Sequence, residues 1–110
     1  MRIRIALVLT LLAGAGFGGC ASKQTRTVQG VEIKEDKAGL WQQATLAPDS
    51  AIKLALARVP GGRFVKGELE EEEGTLIYSF DIKSAGKDGT DEVHVDARTG
   101  AVLPIEHEKE

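Results

Sequence analysis

The spacing of hydrophobic and polar positions changes twice along this chain. From Ile5 to Ala13 the stretch "IALVLTLLA" is apolar and uncharged, with Arg2 and Arg4 ahead of it. Further on, Ala51, Ile52, Ala55, Leu56 and Val59 recur at the spacing of one helix face, whereas Lys53, Ala57 and Arg58 lie off it. Pro48 suits the first helical position, where its missing N–H is not needed, and Asp49 favours the positive end of the helix dipole. Pro60, Gly61 and Gly62 stop the pattern, so a helix is predicted from Pro48 to Val59.

Beyond the helix the period becomes two. The stretch "RFVKGELEEEEGTLIYSFDIK" predicts a hairpin with its turn near Glu72 to Gly74. In its second arm Leu76, Tyr78, Phe80 and Ile82 share one face, and Ile77, Ser79, Asp81 and Lys83 the other. After the polar loop "SAGKDG", Val93 and Val95 should point inward and His94 outward. The turn "DARTG" should fold the Asp96 carboxylate onto backbone N–H groups and give Gly100 a positive φ, with Val102 and Leu103 continuing as a last strand. A short strand from Val31 to Lys34 and a helical turn from Leu40 to Ala44 precede the helix. The predicted fold class is α+β, one main helix packed on a small antiparallel sheet of about four strands. Trp41, the sole tryptophan, reads either as a cap on one edge of the core or as an exposed contact for a partner.

With 110 residues there is room for one small domain. The leading apolar run has basic residues before it and Gly14, Gly16, Gly18 and Gly19 after it. These glycines weaken the competing reading, a transmembrane helix of about 18 residues. A cleaved export signal over residues 1–19 is expected. Exported proteins commonly pair their cysteines, but Cys20 is alone and has no intrachain disulfide partner. Residues 20–30 are then expected to be a polar tether, its stretch "ASKQTRTVQ" reaching about 30 Å at ~3.3 Å per residue, followed by a domain over residues 31–110.

Loss of the signal leaves 12 basic against 17 acidic side chains, a net charge of −5, which weighs against a nucleic-acid partner. Nucleophilic catalysis needs a base and an orienting group beside the nucleophile, and no Gly-x-Ser-x-Gly elbow occurs. Of the two histidines, His94 shares its face with Glu92 and Asp96, a weak metal trio or a chance grouping on a solvated face. His107 is expected in a solvated tail. The run "ELEEEE" from Glu68 to Glu73 either attracts a basic partner or a cation, or guards the hairpin against edge-to-edge pairing. The glycines of "GAGFGG" belong to the signal and make no nucleotide loop. No catalytic, metal or cofactor-binding residue is assigned.

Two resemblances add to this reading. Phe17, Gly18, Gly19 and Cys20, after the apolar run, resemble a bacterial lipoprotein signal, with Phe17 in place of the usual leucine. That resemblance implies lipid attachment at Cys20, a diacylglyceryl thioether on the thiol and a further acyl chain, such as palmitate, on the new N-terminus. Several chains hold a membrane more firmly than one. Ala21, where aspartate would retain the protein at the inner membrane, implies the periplasmic face of the outer membrane.

The segments "APDSAIKLALARVPGG", "GELEEEEGTLIYSFDI" and "TDEVHVDARTGAVLPIEHE" together resemble a PepSY domain, over Gly39 to Glu108. Ala47 departs from that pattern, which usually places a serine or threonine there as helix cap. The family occurs in exported or membrane-attached proteins and in propeptides of secreted metallopeptidases. It implies a protein-binding, regulatory or peptidase-inhibiting module and not an enzyme, with an envelope protein or peptidase as partner, met through a sheet edge or the hairpin loops. The alternative is a small-ligand or metal-binding envelope sensor built on Glu70 to Glu73, or on Glu92, His94 and Asp96.

Overall fold

The computed structural model describes residues 22–109; the expected signal and Cys20 lie outside them. Strands β1 (Thr25–Val28) and β2 (Val31–Glu35) form a hairpin. A single 3₁₀ turn (Trp41–Gln43) and helix α1 (Pro48–Arg58) follow, then β3 (Gly62–Glu72), β4 (Thr75–Ser84), β5 (Thr90–Asp96) and β6 (Glu106–Glu108). The six strands make one sheet in chain order. All neighbours are antiparallel except β2 and β3, which run parallel. A parallel pair needs a crossover, and the segment containing α1 supplies it while laying the helix across one face.

Helix α1 starts and stops where the sequence places its signals. Pro48 occupies the first turn, and the N–H of Gly62 donates to the Val59 carbonyl at 2.9 Å as the chain turns into β3. Ala51, Ile52, Ala55 and Val59 are buried, with Leu56 half-buried. Against them lie Leu76, Tyr78, Phe80 and Ile82 of β4 and Val93 and Val95 of β5, all essentially inaccessible. The Phe80 ring stacks on Tyr78 at 5.6 Å and meets Phe64 edge-on at 5.2 Å, geometries that add to simple area burial.

The approach to α1 is fixed by the "DARTG" turn. Asp96 Oδ1 accepts the N–H groups of Arg98 at 2.8 Å and Thr99 at 2.9 Å, and Gly100 takes φ 78°. The carbonyl of Ala97 then accepts N–H bonds from Thr45 and Leu46, and the Tyr78 hydroxyl donates to the Leu46 carbonyl at 2.6 Å. Trp41 is buried, its indole N–H donating to the Gln24 carbonyl at 2.9 Å, with the Arg26 guanidinium 4.5 Å from its ring. The reading of Trp41 as part of the core is the one the fold adopts.

Several expectations change. The sheet has six strands and is mixed, where about four antiparallel strands were expected. Thr25–Val28 lies inside the expected tether yet forms β1, because its backbone pairs with β2 although three of its four side chains stay exposed. His107 is exposed as expected, but it sits in strand β6 and not in an unpaired tail. Val102 makes only an isolated bridge to Val95, since Pro104 has no N–H to continue the ladder before β6 resumes it.

Candidate functional site

With α1 on one side of the sheet, the period-two alternation delivers the remaining side chains of β3, β4 and β5 to the other side. Register pairs Glu68 with Ser79, and Glu70 with Ile77. It also pairs Ser79 with His94, and Asp81 with Glu92. Strand β6 adds Glu108. The result is an open cleft of about 260 Å³ whose lining holds six carboxylates, those of Glu68, Glu70, Glu72, Asp81, Glu92 and Glu108, against one cation, Lys66. The acidic run noticed in the sequence is half of this feature. Asp81, Glu92 and Glu108 join it only through strand pairing.

Its electrostatics follow from crowding. Burial raises the Glu70 carboxyl above its ordinary value, and Glu72 adds repulsion. Burial does the same to Asp81, reinforced by Glu92. Hydrogen-bond coupling between Glu92 and Glu108 lowers the Glu92 carboxyl, with His94 helping, and raises that of Glu108. Glu92 Oε1 also lies 2.6 Å from His94 Nε2 and accepts a long bond from Ser79 Oγ at 3.4 Å. On β6, His107 Nδ1 stands 2.7 Å from Asp91 Oδ1.

The expected trio is therefore not assembled as a unit. Glu92 and His94 meet, but Asp96 is turned into its own loop. Its two backbone donors, Thr99 first, hold its carboxyl below the usual range. Among the described residues, no group of three or more His, Cys, Asp or Glu side chains is arranged to hold a metal ion. Glu73 has left the sheet for the hairpin turn, at φ 49°. Lipid attachment at Cys20 falls outside the described residues. No described helix is long and apolar enough to cross a membrane.

Sequence reasoning also missed a buried carboxylate. Glu35 is 2% exposed, and its two oxygens accept the N–H groups of Gly39 at 2.9 Å and Trp41 at 3.2 Å. It caps the turn between β2 and the 3₁₀ segment from inside, and its only sequence signal is alternation with Ile33.

Compared with known proteins, the chain finds no match among curated proteins or solved structures. A family model does match: the peptidase propeptide and YPEB domain, PepSY, over residues 45–106. These limits run from the residue held by the Ala97 carbonyl to the first residue of β6, and so enclose α1, the β3 to β5 sheet and the "DARTG" turn. The chain belongs to the PepSY family.

Proposed function

We propose that this protein is a lipid-anchored envelope module that regulates a partner protein, a peptidase being the leading class, by occupying its surface. The observation that carries the reading is membership of a family of peptidase propeptide domains, spanning the whole helix and central hairpin. The acidic outer face suits such a role. It is an open cleft unpacked by the helix, and it presents six carboxylates beside a single lysine. A partner with a basic rim would be drawn to it and held in register by charge. Lipid attachment at Cys20, and a position on the periplasmic face of the outer membrane, belong to the same proposal and rest on the signal-like residues Phe17 to Cys20.

Two experiments test it. Mass spectrometry of the protein from the membrane fraction should find Cys20 acylated at the N-terminus of the mature chain; an unmodified thiol would remove the anchor. Crosslinked capture from intact envelopes should yield a protein lost with Glu68→Lys and Glu70→Lys and retained with Lys53→Ala on the exposed side of α1. Equal capture by all three would remove the acidic face from the binding surface.

A further inference from the structure

The outer side of the sheet changes sign along its length. At the end opposite the acidic hairpin tip, Arg63 at the start of β3 stands directly across from Lys83 at the end of β4. Like charges in opposed positions on neighbouring antiparallel strands repel and destabilise the pair. Acidic side chains outnumber basic ones after the signal is removed, so a carboxylate across from Arg63 would be the ordinary arrangement. The structure does the reverse and adds a third cation, Lys87, from the loop after β4.

Arg63, Lys83 and Lys87, with Ser84 and Gly61, line an open cleft of about 310 Å³, and no carboxylate is in that lining. The close contacts between basic and acidic side chains among the described residues are Lys37 with Glu71, Lys66 with Glu68, His94 with Glu92 and His107 with Asp91, and none uses these three cations. The loop itself is shaped. Lys87 N–H donates to the Ser84 carbonyl at 3.3 Å, and Gly86 takes φ 78°, which turns the chain back over the cleft.

We propose that this cleft is an anion site for a phosphate group, presented either as a membrane lipid headgroup or as a small soluble phosphate ester. The guanidinium fork of Arg63 matches two phosphate oxygens, the two ammonium groups supply charge, and the Ser84 hydroxyl supplies a further donor. A bound dianion or diester would relieve the repulsion that the register sets between Arg63 and Lys83. The site shares no residue with the acidic face and stands or falls apart from the regulatory reading.

The test uses the full chain in phosphatidylcholine nanodiscs, with the amide resonances of Ser84 and Gly86 as readout. One arm adds inorganic phosphate at constant ionic strength; the other replaces part of the lipid with phosphatidylglycerol. Saturable shifts with a Kd of about 1 mM or tighter are expected in at least one arm. A response to phosphate alone assigns a soluble ester, a response to phosphatidylglycerol alone assigns the headgroup, and both together assign a site open to either. Arg63→Ala and Lys87→Ala should each weaken binding about tenfold, the loss of one charge-assisted contact, while Lys53→Ala leaves it unchanged. Lys87 lies in an exposed loop, so its variant keeps the test valid if the strand variant unfolds. Silence in both arms, or equal affinity in all variants, overturns the proposal.

Discussion

The helix-side face of the sheet and its outer face are built from the same strands, yet they answer to different physics. On β4, Tyr78 and Phe80 point to the helix and are fully buried, while Ser79 and Asp81, alternating with them, point the other way and stay partly wet. On the inner face every buried side-chain polar atom among the described residues has a partner, and packing density decides what is tolerated. On the outer face carboxylates are crowded at one end and cations at the other, an arrangement that stability alone does not favour. Surface that carries repulsion is surface kept for something other than folding.

The sharpest test of that contrast changes neighbouring residues on β4. Phe80→Ala removes a ring held between Tyr78 and Phe64 and should cost about 3–5 kcal/mol in denaturant unfolding. Ser79→Ala, one residue away on the outer face, should stay within about 0.5 kcal/mol. If the two variants unfold at similar denaturant concentrations, the division between the faces is wrong.

Glu35 asks whether the inner face excludes charge or only unpartnered charge. Glu35→Ala leaves the buried N–H of Trp41 and the half-buried N–H of Gly39 without acceptors and should cost about 2–3 kcal/mol, with an unchanged dependence on denaturant concentration. Glu35→Gln keeps one acceptor oxygen and should fall between that variant and the natural chain. A loss with Gln as large as with Ala would mean that the carboxylate charge, and not its geometry, is what the turn requires.

Much of this architecture is legible in the sequence, and the part that is not shares one physical reason. The α1 face from Ala51 to Val59 and the alternation of Leu76, Tyr78, Phe80 and Ile82 are readable because burial on one side forces a period. The Asp96 turn is readable because its chemistry is local, with donors two and three residues away. Strands β1 and β6 are edges, with exposed side chains in all but one position, so no apolar rhythm marks them; backbone pairing alone makes them strands. The parallel pairing of β2 with β3 is likewise invisible, since it depends on where the crossover lands. The same holds for the candidate surfaces. The Glu68 to Glu73 run stands out, but the approach of Asp81, Glu92 and Glu108 to it, and of Lys83 to Arg63, exists only once the register is set.

A smaller effect is expected where the helix meets the inner face. Ala47 is the residue before α1, at φ −65° and ψ 146°, and offers no side-chain acceptor to the first turn. Its extended backbone is already the one a capping serine adopts, so Ala47→Ser should let the hydroxyl accept from the Ser50 N–H without rearrangement. The expected gain is about 0.5–1 kcal/mol, a rise of roughly 3–6 °C in Tm for a domain of this size. An unchanged Tm would mean that the first turn is already satisfied by water.

The smallest effect should come from the outer face, and its sign is the informative part. The Glu70 carboxyl is raised by burial and by Glu72, so the folded state favours its protonated form. That contribution is fully present below the ordinary carboxylate value of 4.5 and is lost as pH rises through the folded-state value. At neutral pH the ionised group therefore opposes folding, and Glu70→Gln should stabilise the protein there. The gain should be no more than about 0.5 kcal/mol after solvent screening, and should vanish on acidification below 4.5. Asp96 has the opposite sign. Its carboxyl is lowered by the Thr99 and Arg98 N–H groups, so its contribution is present above the ordinary value and fades as pH falls. Thermal melts of the Glu70→Gln and Asp96→Asn variants across pH should thus diverge, one above the natural chain and one below it at pH 7, and converge on it in acid. If Glu70→Gln instead destabilises the chain at neutral pH, the carboxylates of the outer face are supporting the fold, and their crowding ceases to be an argument for binding.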